Sequence, residues 1–197
     1  MKLRDQIIKD TIITLKPEKF VHQLGPDLRL ENCTIINYCT GSAIIFAGVE
    51  MIGGIFHQKK SLTNTEFSRT IFDEVKFLGF YNGVDFGHKE EIYEGKIINC
   101  DFSEATIHHS RVFECQAEQL ILPIWPCFSI INPSQAREYV LSRQWGVKLG
   151  ITLDIYTDVS SLCTVSLGNA EEISKKAEIG IDDLKKLLKD IPGMIIR

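Results

Sequence analysis

Residues 95–119 read GKIIN, CDFSE, ATIHH, SRVFE and CQAEQ, five consecutive blocks of five. The third residue of each block is apolar (Ile97, Phe102, Ile107, Val112, Ala117). Two positions earlier stands a small residue each time (Gly95, Cys100, Ala105, Ser110, Cys115), and the other positions are mostly polar. A period of five fits neither the 3.6 of a helix nor the 2 of a strand. A helix would carry residues five apart through about 140° per step, so no face would stay apolar. A flat strand would send them alternately to its two sides. A chain that turns a corner every five residues keeps them all pointing inward, which is a solenoid signal.

Working outward, the beat begins at Leu28 in another frame, with central positions Leu30, Ile35, Thr40, Ile45, Glu50 and Ile55. Glu50 is too costly to bury unpaired, so the side bulges there or Val49 and Met51 take the inward role. At residues 57–60 (HQKK) the frame slips by two, and it continues through Leu62, Phe67, Phe72 and Phe77. A second disturbance covers residues 80–91 (FYNGVDFGHKEE), where Asn82 and Gly87 fall on central positions. The frame returns at Ile92 and Ile97.

The pattern resembles the pentapeptide-repeat family, with CDFSE and TEFSR (residues 65–69) the best-matching blocks. The resemblance implies a mainly β fold: a right-handed, four-sided parallel β-helix of about twenty residues per coil. On that count Phe72, Ile92 and Val112 stack, as do Phe77, Ile97 and Ala117, and Leu62, Asn82 and Phe102.

Residues 1–27 are expected to be an N-terminal cap, 28–122 the β-helix, and 123–197 a C-terminal cap with helices and one strand. Within the last, Asn132-Pro133 starts a helix running to about Gln144. Residues 147–155 alternate Val147, Leu149, Ile151, Leu153 and Ile155 with Lys148, Gly150, Thr152 and Asp154, which predicts a half-buried strand. Residues 158–167 are ambiguous. Asn169 with Glu172 caps a short helix ended by Gly180. Ile181, Leu184, Leu188 and Ile191 form one apolar stripe on a final helix. Docking on residues 147–155 and self-association are both open for that stripe, and the family resemblance favours a homodimer through it.

At 197 residues, 44% hydrophobic and 24% charged, the composition is that of an ordinary globular chain. A net charge of −4 argues against a general polyanion-binding surface, so direct nucleic-acid binding is not expected. The charged N-terminal stretch reads as no secretory signal, and the most apolar run, residues 43–56, is too short to span a bilayer. The expectation is a soluble, cytoplasmic protein with reduced thiols, away from membranes.

Cys33, Cys100 and Cys115 occupy small inward positions and there is no CxxC pair, so they read as fillers of the shaft. His88 and His108 are twenty apart, beside His109, and three neighbouring imidazoles could hold a metal. No carboxylate or thiol falls in that column. Nucleophile elbow, phosphate loop and HExxH motifs are missing from the sequence. No catalytic residue, metal site or cofactor is assigned. Between residues 28 and 119 acids outnumber bases thirteen to eight.

These features point to a non-catalytic protein that presents a rigid β-helix surface to a protein partner, as an intracellular inhibitor or a toxin-neutralising immunity protein would. Two alternatives stand beside it. One, implied by the family resemblance, is a DNA mimic that protects a type II topoisomerase. The other is an enzyme or metal protein built on the His88/His108/His109 edge. The partner-binding candidates are Phe80, Tyr81, Asp85, Phe86, Glu90 and Glu91: aromatics with an acidic rim, in a segment expected to leave the coil.

Overall fold

The computed structural model describes residues 1–87 and 95–197. Corners set the architecture. In the fourth turn Asn64, Arg69, Glu74 and Gly79 all have positive φ (47°, 54°, 56° and 96°), and they lie five residues apart. One left-handed residue reverses the local sense of the backbone and bends a strand sharply. Two residues before each corner stands an inward side chain: Leu62, Phe67, Phe72 and Phe77, all buried. The five-residue beat is therefore the spacing of the corners. Equivalent corners repeat along the molecule, at Asp5, Asp27, Gly48 and Arg69 on one edge and at Asp10, Asn32, Gly53, Glu74 and Asn99 on the next.

Between the corners run short parallel strands. The first turn holds β1 (Lys2–Leu3), β2 (Gln6–Lys9) and β3 (Ile12–Leu15); the second β4 (His22–Leu24), β5 (Leu28–Glu31) and β6 (Thr34–Asn37). The third begins with β7 (Ile44–Phe46) and β8 (Val49–Ile52) and continues into β9 (Ile55–Glu66), which bends round successive sides. Then come β10 (Ile71–Asp73), β11 (Lys76–Phe86), β12 (Lys96–Ile98), β13 (Asp101–His108) and β14 (Ser110–Phe113). One sheet runs β2-β5-β8-β10-β12 and another β3-β6-β9-β11-β13, so the strands stack as a β-solenoid of about five turns. The mainly β, parallel solenoid with C-terminal helices is the expected fold class.

The details correct several expectations. Residues 1–27 are no separate cap, because β1–β3 pair in parallel with β4–β6 as a turn of the solenoid. Leu3, Ile8 and Ile13, again five apart, supply its share of the core. The rung is not twenty residues. Partners Gln6↔Leu28, Leu28↔Val49 and Glu50↔Ile71 are 22, 21 and 21 apart, and Ile71↔Lys96 are 25 apart. Phe72 thus stacks with Met51 and Ile97, and Phe77 with Phe56 and Phe102, not as the twenty-residue count had it. Ile92 lies outside the described residues. Val49 and Met51 are buried and Glu50 faces out, as its charge required. At Ile45 the frame is off by one: Ile44 and Phe46 are buried and Ile45 is exposed. The slip at HQKK is a bulge, with Gln58 to Leu62 facing Gly79 to Tyr81 across β9 and β11.

The shaft is packed with rings. Phe46, Phe56, Phe67, Phe72, Phe77, Tyr81, Phe86 and Phe102 form one connected cluster, with Phe77 and Phe102 stacked at 4.8 Å and 4°. Beside it lies a buried polar ladder that hydrophobic periodicity could not reveal. Asn37 Nδ2 donates to Gln58 Oε1 (2.8 Å), Gln58 Nε2 to the Cys39 carbonyl (2.9 Å), and Cys39 N to Asn37 Oδ1 (2.9 Å). Above it stands Gly79, where a Cβ would come within 1.8 Å of the Gln58 carbonyl oxygen.

The C-terminal cap closes the far end. β15 (Cys127–Ile131), β16 (Cys163–Asn169) and β17 (Met194–Ile195) add antiparallel strands beyond β14, and α1 (Pro133–Ser142), α2 (Val147–Thr157), α3 (Ala170–Ala177) and α4 (Ile181–Lys189) pack against them. Residues 147–155 are helical, not a strand. A strict two-residue alternation also contains two four-residue series: Leu149 and Leu153 are buried while Val147, Ile151 and Ile155 are exposed. The α4 stripe is covered by its own chain, with Leu184, Leu188 and Ile191 in one core with Leu149, Leu153 and Ile173.

Phe102→Lys should destabilise the fold by more than about 3 kcal/mol, since it removes a stacked ring and buries a charge. Asp101→Lys, on the outer side, loses only the Ser103 amide bond and the Lys76 pair and should cost about 1 kcal/mol by urea denaturation. Gly79→Ala should cost about 2 kcal/mol or more, because its φ of 96° and the Gln58 carbonyl both oppose a Cβ.

Candidate functional site

Residues 80–87 do not leave the coil. Residues 80–86 continue β11, and only Phe80, 53% exposed, faces solvent among the aromatics. The corner after Gly79 falls at Gly83, four residues on, so Tyr81 takes the inward slot and Asn82 turns outward. Tyr81 is buried and donates to the Phe56 carbonyl at 3.0 Å; burial pushes its phenol pKa up. Phe86 is buried among Phe67, Phe77 and Phe102. Asp85 is nearly buried and accepts both arms of Arg111, at 2.8 and 2.9 Å. The expected cluster of exposed aromatics with an acidic rim therefore does not form at Tyr81, Asp85 and Phe86. Glu90 and Glu91, like His88, lie outside the described residues.

His108 and His109 meet a carboxylate that the column count did not contain. His109 sits at a corner (φ 44°), which breaks strand alternation and lets adjacent imidazoles reach the same group. His108 Nδ1 is 2.6 Å from Glu172 Oε2, and His109 Nε2 is 3.2 Å from Oε1. Lys176, one helical turn on, reaches Oε1 at 2.5 Å. Burial alone would raise the Glu172 pKa, but the hydrogen bonds from Lys176 and His108 and the nearness of His109 bring it down to about 2. The His109 ring stacks on buried Tyr156 at 4.9 Å. Asn169 caps α3 by accepting from Glu171 N and Glu172 N, which leaves the Glu172 carboxylate free to cross to the solenoid. Glu172 is thus a clamp between cap and shaft. Its only sequence signal was its place in the capping motif. Among the described residues no group of three or more His, Cys, Asp or Glu is placed to hold a metal ion.

The thiols are inward, as expected for Cys33 and Cys100; Cys115 is half-buried. Burial raises Cys100 to about 12 and Cys115 to about 11, so both stay protonated and poorly nucleophilic at neutral pH.

The outer faces differ sharply in chemistry. On the β2-β5-β8 face an ion ladder runs from Lys9 to Glu31 (2.5 Å), Glu31 to Arg29 (2.7 Å) and Arg29 to Glu50 (2.6 Å). The β3-β6-β9-β11 face is different. Its outward columns are Ile12, Thr34, Ile55, Lys76 and Asp101, and beside them Thr14, Ile36, His57, Leu78 and Glu104. No charged residue stands in either column until Lys76, which pairs with Asp101 (3.8 Å) and Glu104 at the cap end. Ile12 is 68% exposed, and Ile36, Ile55 and Leu78 are half-exposed. Burial, then the charge of Lys59, lowers the His57 pKa and favours a neutral ring. Compared with known proteins, the chain matches no family model, no curated protein and no solved structure. No helix among the described residues is long and apolar enough to cross a membrane.

Replacing Glu172 with Gln should lower stability by about 1–3 kcal/mol at pH 7. A depressed carboxylate stabilises above its ordinary pKa of 4.5 and loses that contribution as pH falls toward about 2. The Tm gap between wild type and Glu172→Gln should therefore be widest near neutrality and close between pH 4.5 and 2. A gap independent of pH would remove the clamp.

Proposed function

We propose that this chain is a non-catalytic binding protein whose β3-β6-β9-β11 face docks on a protein partner. The observation that carries this reading is the lack of charge in the Ile12 and Thr14 columns of that face through its first three turns, where Ile12, Ile36 and Ile55 share the surface with threonines and His57 and the exposed Lys59 and Lys60 follow further along β9. A purely solvated sheet face would be polar or charged, as the neighbouring ion ladder is. Beneath it the stacked rings and the hydrogen-bonded parallel ladder hold the face flat, so docking costs little ordering entropy. The buried thiols and the engagement of His108 and His109 with Glu172 suit binding better than chemistry. The acids Glu31 and Glu50 are paired with Arg29, which favours this face over the charged one as the contact surface.

An inhibitor or immunity protein would use such a face against one cognate protein. The test is capture from lysate of the source cells with wild type, with Ile36→Glu/Leu78→Glu, and with a charge-face control, Glu50→Lys. All three should share a Tm within a few degrees. The double variant is expected to lose its specific partner at least tenfold, and the control to keep it. Equal recovery by wild type and the double variant, or loss in the control alone, would overturn the assignment.

A further inference from the structure

The two outward columns of the β3-β6-β9-β11 face are followed by a third. Leu15, Asn37 and Gln58 are in register and point inward, so Lys16, Tyr38 and Lys59, one residue further on, point outward. Tyr38 N donates to the Leu15 carbonyl at 2.8 Å, so the ladder continues that far. The column ends in Phe80, 53% exposed, and its partner Thr106. At its middle the rung bulges. Gln58 pairs with Gly79 and Leu62 with Tyr81, so Lys59, Lys60 and Ser61 stand against Phe80 alone, and all three are exposed. The two stretches that disturbed the five-residue beat, HQKK and the segment from Phe80, therefore meet at one place on the surface.

This margin is basic and its charges are unanswered. Lys16, Lys59 and Lys60 make no ion pair among the described residues. Glu18, two residues past Lys16, is engaged by the N-terminal ammonium at 3.6 Å. Asp101 and Glu104, the acids of the neighbouring columns, are both met by Lys76. On the ion-ladder face, by contrast, Lys9, Glu31, Arg29 and Glu50 all have partners. Two adjacent lysines pushed out on a bulge repel each other and give the fold no compensating contact.

We infer that the protein segment docked on this face is acidic: its apolar side chains cover Ile12, Ile36, Ile55 and Leu78, and its aspartates or glutamates reach Lys16, Lys59 and Lys60. This rests on the reading of that face as a contact surface and adds the chemistry of what it takes. Lys16 and Lys59 lie two rungs apart, about 10 Å along the axis, which sets the spacing of the carboxylates. Tyr38, half-buried between them, offers a ring to the apolar side chains of the segment. Lysines along one border are the polar rim of an interface, and they steer an acidic partner toward it. A nucleic acid is the poorer fit, since the lysines edge an aliphatic surface and the whole chain carries −4.

Panning a random peptide library displayed on phage against the immobilised full chain tests this, with the selected sequences then made as labelled peptides and titrated. Peptides selected on wild type are expected to combine Asp or Glu with aliphatic or aromatic residues. Lys59→Glu/Lys60→Glu, at exposed positions that leave the Tm unchanged, should weaken them by about tenfold or more at low salt, and less as salt rises. Ile36→Glu/Leu78→Glu should abolish binding; if it lowers the Tm, Ile12→Glu takes its place, as Ile12 is 68% exposed. Neutral or basic selected peptides, or no enrichment at all, overturn the inference, as does binding that ignores Lys59 and Lys60. If neutral apolar peptides bind and are lost with Ile36→Glu/Leu78→Glu, the contact face stands and only its acidic partner falls. Acidic peptides that need the lysines but not Ile12, Ile36 or Leu78 remove the contact face itself, and the inference with it. A single-stranded oligothymidylate that binds more tightly than the selected peptides, and is lost in the lysine variant, gives the margin to nucleic acid and overturns it too.

Discussion

A four-sided parallel coil needs a sharp bend at each corner, and here the bend is made by single residues in the left-handed region. That constraint governs the sequence more strictly than the core does. Residues other than Gly, and to a lesser degree Asn and Asp, enter this region at a cost, and most of the stacked corners are those types: Asp5 and Asp27 under Gly48, Asp10 and Asn32 under Gly53. Where Arg69, Glu74 and His109 stand instead, the strain is borne by the stack above and below. Inward residues can vary among Leu, Ile, Met, Phe and Tyr, because the shaft asks only for volume at a fixed offset from the corner.

The beat was legible because it is a direct projection of these corners on the chain. It misled where a side lost or gained a residue. The side ending at Gly83 has four residues in place of five, which moved Tyr81 and Phe86 inward and left Phe80 the one exposed aromatic of the three expected to bind. Counting twenty per rung also misplaced the columns, since paired residues on neighbouring rungs are 21 to 25 apart over most of the shaft and the bulge at residues 59–61 shifts the frame by two. The first turn went unseen because Leu3, Ile8 and Ile13 keep time but Lys16 to Val21 do not.

The cap was harder to read for a different reason. Its helix α2 is apolar on two sides, and an apolar residue at every second position is compatible with both a strand and such a helix. The contact between His108, His109 and Glu172 joins positions more than sixty residues apart, and no local pattern encodes it. The Asn37–Gln58 ladder was hidden by its own chemistry, as buried amides look like surface residues in a hydropathy pattern.

The two ends of the coil are unlike. At one, β16 covers β14 in antiparallel fashion; at the other, β1, β2 and β3 stand at the ends of their sheets. In a stack where each turn touches only its neighbours, cooperativity is local and opening proceeds from a boundary. The molecule therefore has a polarity of motion that its static outline conceals. Amide protons of the first turn are expected to exchange soonest and those beneath Phe77 and Phe102 last, so that protection rises turn by turn toward the ring stack, like a zipper fastened at one end.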